Sequence, residues 1–297
     1  IIPPMITPLK GDDELDREGA VRLTEHLVAG GVHAIFLLGT TGEAQSLTYR
    51  LRYEFVELVC RQVAGRVPVL VGVTDTAFIE SIRLAEHAAK CGAVGVVAAP
   101  PYYFAPSQQE LIEYYTALAD ALPLPLYLYN MPSHVKVFLE PATVKTLASH
   151  PNIVGLKDSS ANMTYFQTLL YHLGDNPDFS LYVGPEELTG ECVLLGADGG
   201  VNGGANIFPE LYVAMYDAAC AHDIARVREI QRRIMQISTS VYTVGKYGSS
   251  YLKGVKCALS LLGVCDDYLS YPYRKFRTEE RARIRQALEA LDANCNV

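Results

Sequence analysis

The sequence lacks a cationic excess. Lys and Arg number 25 against 33 Asp and Glu, a formal charge of −8. Binding nucleic acid by phosphate neutralisation needs a basic face, so that class is excluded. Small anionic substrates stay open, because one or two local positive groups can hold them. No apolar run is long enough to span a bilayer, and no secretory signal stands at the start. The expectation is a cytoplasmic protein with no membrane partner. There is no C-x-x-C pair. Seven cysteines are scattered, at positions such as Cys60, Cys91, Cys192 and Cys257. An odd, unpatterned set reads as reduced thiols, most of them small core hydrophobes. No H-x-x-H or H-E-x-x-H pattern offers metal ligands. No glycine-rich dinucleotide fingerprint follows the first strand. Internal repeats and low-complexity linkers are also missing.

What is present is a rhythm. In 297 residues, 49% of them hydrophobic, strand-like runs alternate with amphipathic helical stretches for two thirds of the length. The strands are expected over 2–7, 33–38, 68–73, 94–99, 124–129, 153–157, 180–183 and 198–201. Helices between them include 17–29, 47–64, 79–91 and 108–121. Runs such as Val69-Leu70-Val71-Gly72-Val73 lack polar alternation, as strands buried on both faces do. Eight strands about thirty residues apart, each followed by a helix, predict an α/β fold, a (β/α)8 TIM barrel. An open doubly wound sheet is the runner-up, weakened by the missing fingerprint. Beyond residue 209 the strands stop, and 211–221, 224–242, 250–262 and 278–291 read as helices. The expected division is a catalytic barrel over 1–220 and a C-terminal helical extension over 221–297.

In a barrel, functional residues gather where strands end. The run Ile153-Val154-Gly155-Leu156-Lys157 ends a buried strand on a lysine. Apolar surroundings lower a lysine's affinity for its proton, and a neutral amine can attack a keto group. The plainer alternative is a strand-end lysine that snorkels into water. After the second strand, Gly39-Thr40-Thr41-Gly42-Glu43 offers free N–H groups and two hydroxyls to an anion. The same residues can also cap a helix, with Glu43 in its first turn. Tyr129, in Tyr129-Asn130-Met131-Pro132, would reach the barrel mouth, where a phenol can relay protons or simply pack its ring. Glu186 and Glu187, after Gly184-Pro185, are either an acidic first turn or acceptors for substrate hydroxyls. The glycines of 200–204 would let backbone approach a ligand.

These motifs, with Pro101-Tyr102-Tyr103 and the G-A-D-G-G of 196–200, come in an order and spacing that resembles the dihydrodipicolinate synthase/N-acetylneuraminate lyase family. The resemblance runs over nearly the whole chain. It implies a (β/α) barrel with C-terminal helices, assembled as a homotetramer, a dimer of dimers. It implies a lyase that makes a Schiff base with pyruvate or another 2-oxo acid, with no metal or organic cofactor. Carried over by resemblance, Lys157 is the nucleophile and Tyr129 the proton relay. Thr40 and Thr41 bind the pyruvate carboxylate, and Thr41 also links to Tyr129. Tyr103 reaches into a neighbouring subunit's site. Gly184 and Val201 contact substrate through backbone.

The match breaks at His134, where synthases carry an arginine that grips the carboxylate of aspartate semialdehyde. An imidazole is a poorer clamp than a bidentate guanidinium. Glu186 and Glu187 stand where the lyases hold sugar hydroxyls. The expected reaction is therefore aldol cleavage or formation between pyruvate and an aldehyde, on a 2-keto-3-deoxy sugar acid or similar 2-oxo acid. The alternatives are the synthase reaction, dehydration of a keto-deoxy sugar acid, and non-catalytic binding of a 2-oxo acid.

Overall fold

The computed structural model describes residues 1–293. A short antiparallel hairpin, β1 (Leu9–Gly11) with β2 (Glu14–Leu15), precedes α1 (Arg17–Ala29). Seven parallel strands then follow in sequential order: β3 (Ile35–Leu37), β4 (Val69–Gly72), β5 (Gly95–Ala98), β6 (Leu126–Asn130), β7 (Ile153–Asp158), β8 (Ser180–Val183) and β9 (Gly199–Gly200). Every residue of β3, β4 and β5 is buried. That is the burial expected of strands covered on both faces.

The eighth position of the barrel is filled by residues 2–5. Ile2 N–H bonds to Gly200 O at 2.9 Å, Phe36 N–H to Pro3 O at 3.0 Å, and Met5 N–H to Phe36 O at 2.9 Å. The strand expected over 2–7 is thus present as a single bridge at Pro4 beside Phe36. Two consecutive prolines remove two ladder donors, so no continuous strand forms there. The seam nevertheless closes the sheet into the expected (β/α) barrel.

Helices alternate with the strands: α2 (Tyr49–Val63), α3 (Phe78–Lys90), α4 (Gln108–Ala121), α5 (Pro132–Val135), α6 (Pro141–Leu147), α7 (Met163–Leu173) and α8 (Thr189–Leu194). Their starts carry local reasons. Asp16 caps α1 by accepting Gly19 N–H at 3.0 Å. Ser107 and Glu110 form a reciprocal capping box on α4, which satisfies two otherwise orphaned N–H groups. After β9 come α9 (Pro209–Cys220), α10 (Ile224–Ser240), α11 (Ser250–Leu261) and α12 (Thr278–Ala293). α10 turns Val227, Ile230, Ile234 and Ile237 inward, a stripe of 3.6-residue period. No helix among the described residues is long and apolar enough to cross a membrane. The six described cysteines are unpaired, and Cys60, Cys192, Cys257 and Cys265 are buried.

Candidate active site

The register of two neighbouring strands builds the site. β6 and β7 pair in parallel with Tyr129 beside Lys157 and Asn130 beside Asp158. Successive side chains of a strand point to opposite faces. Gly155 allows this register, because a Cβ there would lie 2.6 Å from Ser180 O and 2.8 Å from the Tyr127 ring. Lys157 is 7% exposed. Its Nζ lies 4.3 Å from the centre of the Tyr129 ring and 5.3 Å from that of Phe36. Among the described residues, no carboxylate pairs with it.

The next residue on each strand forms a closed polar pair. Asn130 Nδ2 donates to Asp158 Oδ1 at 2.8 Å, and Asn130 Oδ1 accepts Leu139 N–H at 3.1 Å. Asp158 also accepts Ser160 N–H at 3.0 Å and Ser160 Oγ–H at 2.9 Å. Burial pushes the Asp158 carboxyl above the usual carboxylate range, and these hydrogen bonds oppose the shift. Sequence reasoning assigned no role to Asn130 or Asp158. Their adjacency to Tyr129 and Lys157 was the available signal, since a polar residue next to each on a buried strand needs a partner.

The loop after β3 is pressed against the strand ends. Leu38 and Glu43 both adopt left-handed backbone, at φ 57° and 56°. Gly72 makes room for the first, since a Cβ there would stand 2.3 Å from Leu38 O. Thr40 Oγ1 lies 3.3 Å from the Tyr129 hydroxyl, and Thr41 Oγ1 lies 3.3 Å from the Tyr251 hydroxyl. The expected Thr41–Tyr129 link is therefore corrected. The two threonines point to different neighbours, and Thr40 is the one that meets Tyr129. Glu43 precedes the short turn Ala44–Ser46. Its carboxylate forms a buried ion pair with Lys256 of α11 and accepts Ser270 N–H at 2.9 Å.

A cavity of about 650 Å³ opens above this loop, with Thr40, Thr41, Tyr129 and His134 in its walls. Lys157 borders a smaller void of about 20 Å³ in the barrel, together with Val201. Phe36 walls both spaces, and the amine lies against the Phe36 ring and the Tyr129 ring, which walls the large cavity. Among the described residues, the lining of the large cavity includes no arginine or lysine. Partial desolvation, and then the nearby Lys136, push the His134 imidazole below its usual value, which favours its uncharged form.

Other expected site residues fall elsewhere. Gly184 is packed against Ser159, whose Oγ lies 2.0 Å from where a Cβ would stand. Tyr103 is 91% exposed and meets Phe104 edge-on, apart from the cavity of its own chain. Glu186 and Glu187 do not line the cavity, which corrects their expected role in holding substrate hydroxyls. Glu186 is buried, and its oxygens are taken by the Tyr212 hydroxyl at 2.6 Å, the Tyr242 hydroxyl, and Gly204 N–H at 2.8 Å. Glu187 accepts the Ser238 hydroxyl of α10. The turn Glu186–Leu188 lies near α9 and α10, whose Tyr212 and Ser238 hydroxyls each bond one of the two carboxylates. The glycines before them serve the same packing. A Cβ on Gly203 would lie 1.5 Å from the Tyr251 hydroxyl, and one on Gly204 2.0 Å from that of Tyr212. Among the described residues, no cluster of three His, Cys, Asp or Glu side chains could hold a metal ion.

The model of the dihydrodipicolinate synthetase family matches residues 1–291. The chain belongs to that family. Members similar to it include a 4-hydroxy-tetrahydrodipicolinate synthase of Methanospirillum hungatei JF-1, 32% identical over 98% of this chain and 99% of its own. YagE of Escherichia coli K12, provisionally named a 2-dehydro-3-deoxy-D-gluconate aldolase, is 35% identical over 80% of this chain and 79% of its own. The solved structure of a dihydrodipicolinate synthase from Bacteroides thetaiotaomicron superposes with a TM-score of 0.95 at 60% identity, over 97% of each chain. That of YagE with pyruvate superposes with a TM-score of 0.92 at 31% identity, over 98% of this chain and 97% of its own. The protein is thus a lyase of the dihydrodipicolinate synthetase family, built as a TIM barrel with C-terminal helices.

Proposed function

We propose that the protein is a Schiff-base aldolase that releases pyruvate from, or adds it to, a 2-keto-3-deoxy sugar acid. The observation that carries this reading is Lys157 against the Tyr129 ring, which walls a cavity lined by hydroxyls and, among the described residues, by no arginine or lysine. The Lys157 amine attacks the 2-keto carbon, and loss of water leaves an iminium. Breakage of the C3–C4 bond sends its electron pair into that iminium to give an enamine. The C4 hydroxyl gives its proton to the Tyr129 oxygen, which contacts Thr40, while the phenol's own hydrogen goes to the enamine carbon. Protonation of the enamine and hydrolysis release pyruvate. Thr41 holds the pyruvate carboxylate. The departing aldehyde occupies the large cavity, where Gln45, Ser46 and Ser249 offer neutral partners to its hydroxyls. Nothing but the covalent imine serves as cofactor.

The synthase reaction is the second reading, favoured by the name of the 60% identical Bacteroides protein. It needs a grip on the carboxylate of aspartate semialdehyde, and an imidazole shifted toward its uncharged form offers a weaker one than a guanidinium. The proposed division is a catalytic barrel over 1–220 and a C-terminal helical region from 221, whose expected end at 297 lies outside the described residues, in a cytoplasmic homotetramer. The exposed Tyr103–Phe104 pair supports a shared dimer interface in which Tyr103 enters the partner's site. The test is pyruvate release from a panel of 2-keto-3-deoxy sugar acids, beside condensation of pyruvate with aspartate semialdehyde. Faster turnover on a sugar acid, lost in Lys157→Ala, is the expected result; faster condensation would reverse the order of the two readings.

A further inference from the structure

Glu186 and three tyrosines behind the threonine loop form a connected group that the reaction above does not use. Glu186 Oε1 accepts the hydroxyls of Tyr212 and Tyr242, and Oε2 accepts Gly204 N–H. The Tyr242 ring meets the Tyr251 ring edge-on, with centroids 4.8 Å apart and planes at 74°. The Tyr251 hydroxyl is wedged against the Gly203 backbone and ends 3.3 Å from Thr41 Oγ1. An unbroken line of contacts therefore runs from a buried carboxylate to one threonine of the 39–43 loop. The turn after β8, α9, the residues after α10, and α11 all hold it in place.

Thr41 is 7% exposed, and its hydroxyl can point its hydrogen at Tyr251 or into the cavity. A phenol is a better donor than an alkyl hydroxyl. Hydrogen-bonding the phenol hydrogen to Thr41 Oγ1 leaves the threonine's own hydrogen for a ligand. We propose that Tyr251 is a positioning residue: it donates to Thr41 and so turns the Thr41 hydroxyl toward the pyruvate carboxylate, while Glu186 and Tyr242 fix the Tyr251 ring. The inference rests on the reading that Lys157 forms the imine and Thr41 holds the carboxylate.

The experiment is equilibrium trapping of the pyruvate adduct on Lys157 with borohydride, followed by mass spectrometry across pyruvate concentrations, with no aldehyde present. In Tyr251→Phe, half-saturating pyruvate rises roughly three- to tenfold, the scale of one lost hydrogen bond, while the maximal adduct is kept. Thr41→Val gives a similar rise, and Tyr251→Phe adds nothing in the Thr41→Val background. Tyr242→Phe shifts half-saturation in the same direction by less. A merely structural role would lower the maximal adduct or act equally in both backgrounds. Unchanged half-saturation in Tyr251→Phe, or an undiminished effect in the double variant, overturns the positioning role alone. An intact protein that forms no adduct at any pyruvate concentration overturns the Schiff-base reading and this inference with it.

Discussion

Two buried lysines in this molecule have opposite surroundings. Lys256 is fully enclosed in α11, paired with the Glu43 carboxylate and donating to Tyr268 O at 2.7 Å. Lys157 is nearly as buried, yet it lies between two aromatic faces with, among the described residues, no carboxylate beside it. A buried ammonium that is paired and hydrogen-bonded is committed to structure, because removing either partner strands a charge. One held only by ring faces keeps a lone pair within reach once its proton leaves. The same residue type thus serves as a tie under the Glu43 loop and, in the proposed reaction, as the nucleophile. The environment decides which.

The largest effect expected from this contrast is on turnover. Lys157→Ala should lower pyruvate release by at least about 10⁴-fold. Its thermal midpoint should move little, since no ion pair is broken. Steady-state rates beside calorimetry measure both, and a large loss of stability would erase the distinction between the two lysines. Tyr129→Phe removes the hydroxyl and keeps the ring that packs on Lys157. A fall in kcat of about 10²–10³-fold is expected, with borohydride trapping of pyruvate retained. Lys256→Met should do the reverse of Lys157→Ala. It strands the buried Glu43 and should cost about 3–5 kcal/mol of stability in denaturant unfolding. A variant as stable as the parent would mean that the pair is dispensable.

A smaller effect concerns charge in the cavity itself. His134→Arg places there the cation that its lining lacks. It should improve kcat/KM for a carboxylate-bearing aldehyde by up to about tenfold while changing turnover of a neutral sugar acid little. The smallest prediction concerns pH. Burial raises the Glu186 carboxyl in the folded chain. Between its ordinary value and that raised one, the folded state binds more protons than the unfolded state. Its contribution to stability therefore improves as the pH falls through that window and worsens as the pH rises. The stability of the parent relative to Glu186→Gln, from urea midpoints at several pH values, should grow on acidification. A flat difference would show that the two hydroxyls and the Gly204 amide offset the burial cost entirely.

Much of this architecture was legible in residue order. The alternation of β-rich runs with amphipathic stretches located the barrel strands within a residue or two, and helices such as Arg17–Ala29 and Gln108–Ala121 to the residue. Period is a local property, so it survives without tertiary information. The seam at Pro3 and Pro4 was less legible. Its apolar residues promised a strand, and the missing N–H groups reduced it to a single bridge. At the site, strand ends marked Lys157 and Tyr129, because both close buried runs. Side-chain direction in loops was not legible. Nothing in Gly39-Thr40-Thr41-Gly42-Glu43 says which threonine faces Tyr129. Nor could Glu186 be told from a ligand-binding acid, because its partners Tyr212 and Tyr242 lie 26 and 56 positions away.

The closure of the barrel sets an order of assembly. Residues 2–6 bond to Gly200 and Asn206, and the Ile6–Asn206 contact spans 200 positions. Loop-closure entropy makes such contacts late, since nearby pairings form before distant ones are rewarded. On a ribosome the segment must wait for some two hundred further residues, about 10–40 s at ordinary elongation rates. Through that interval the far edge of residues 2–5, whose near edge meets Phe36 of β3, and the edge of every newly added strand stay open. The proline pair that thins the seam also keeps the waiting segment from pairing with another chain's strand edge.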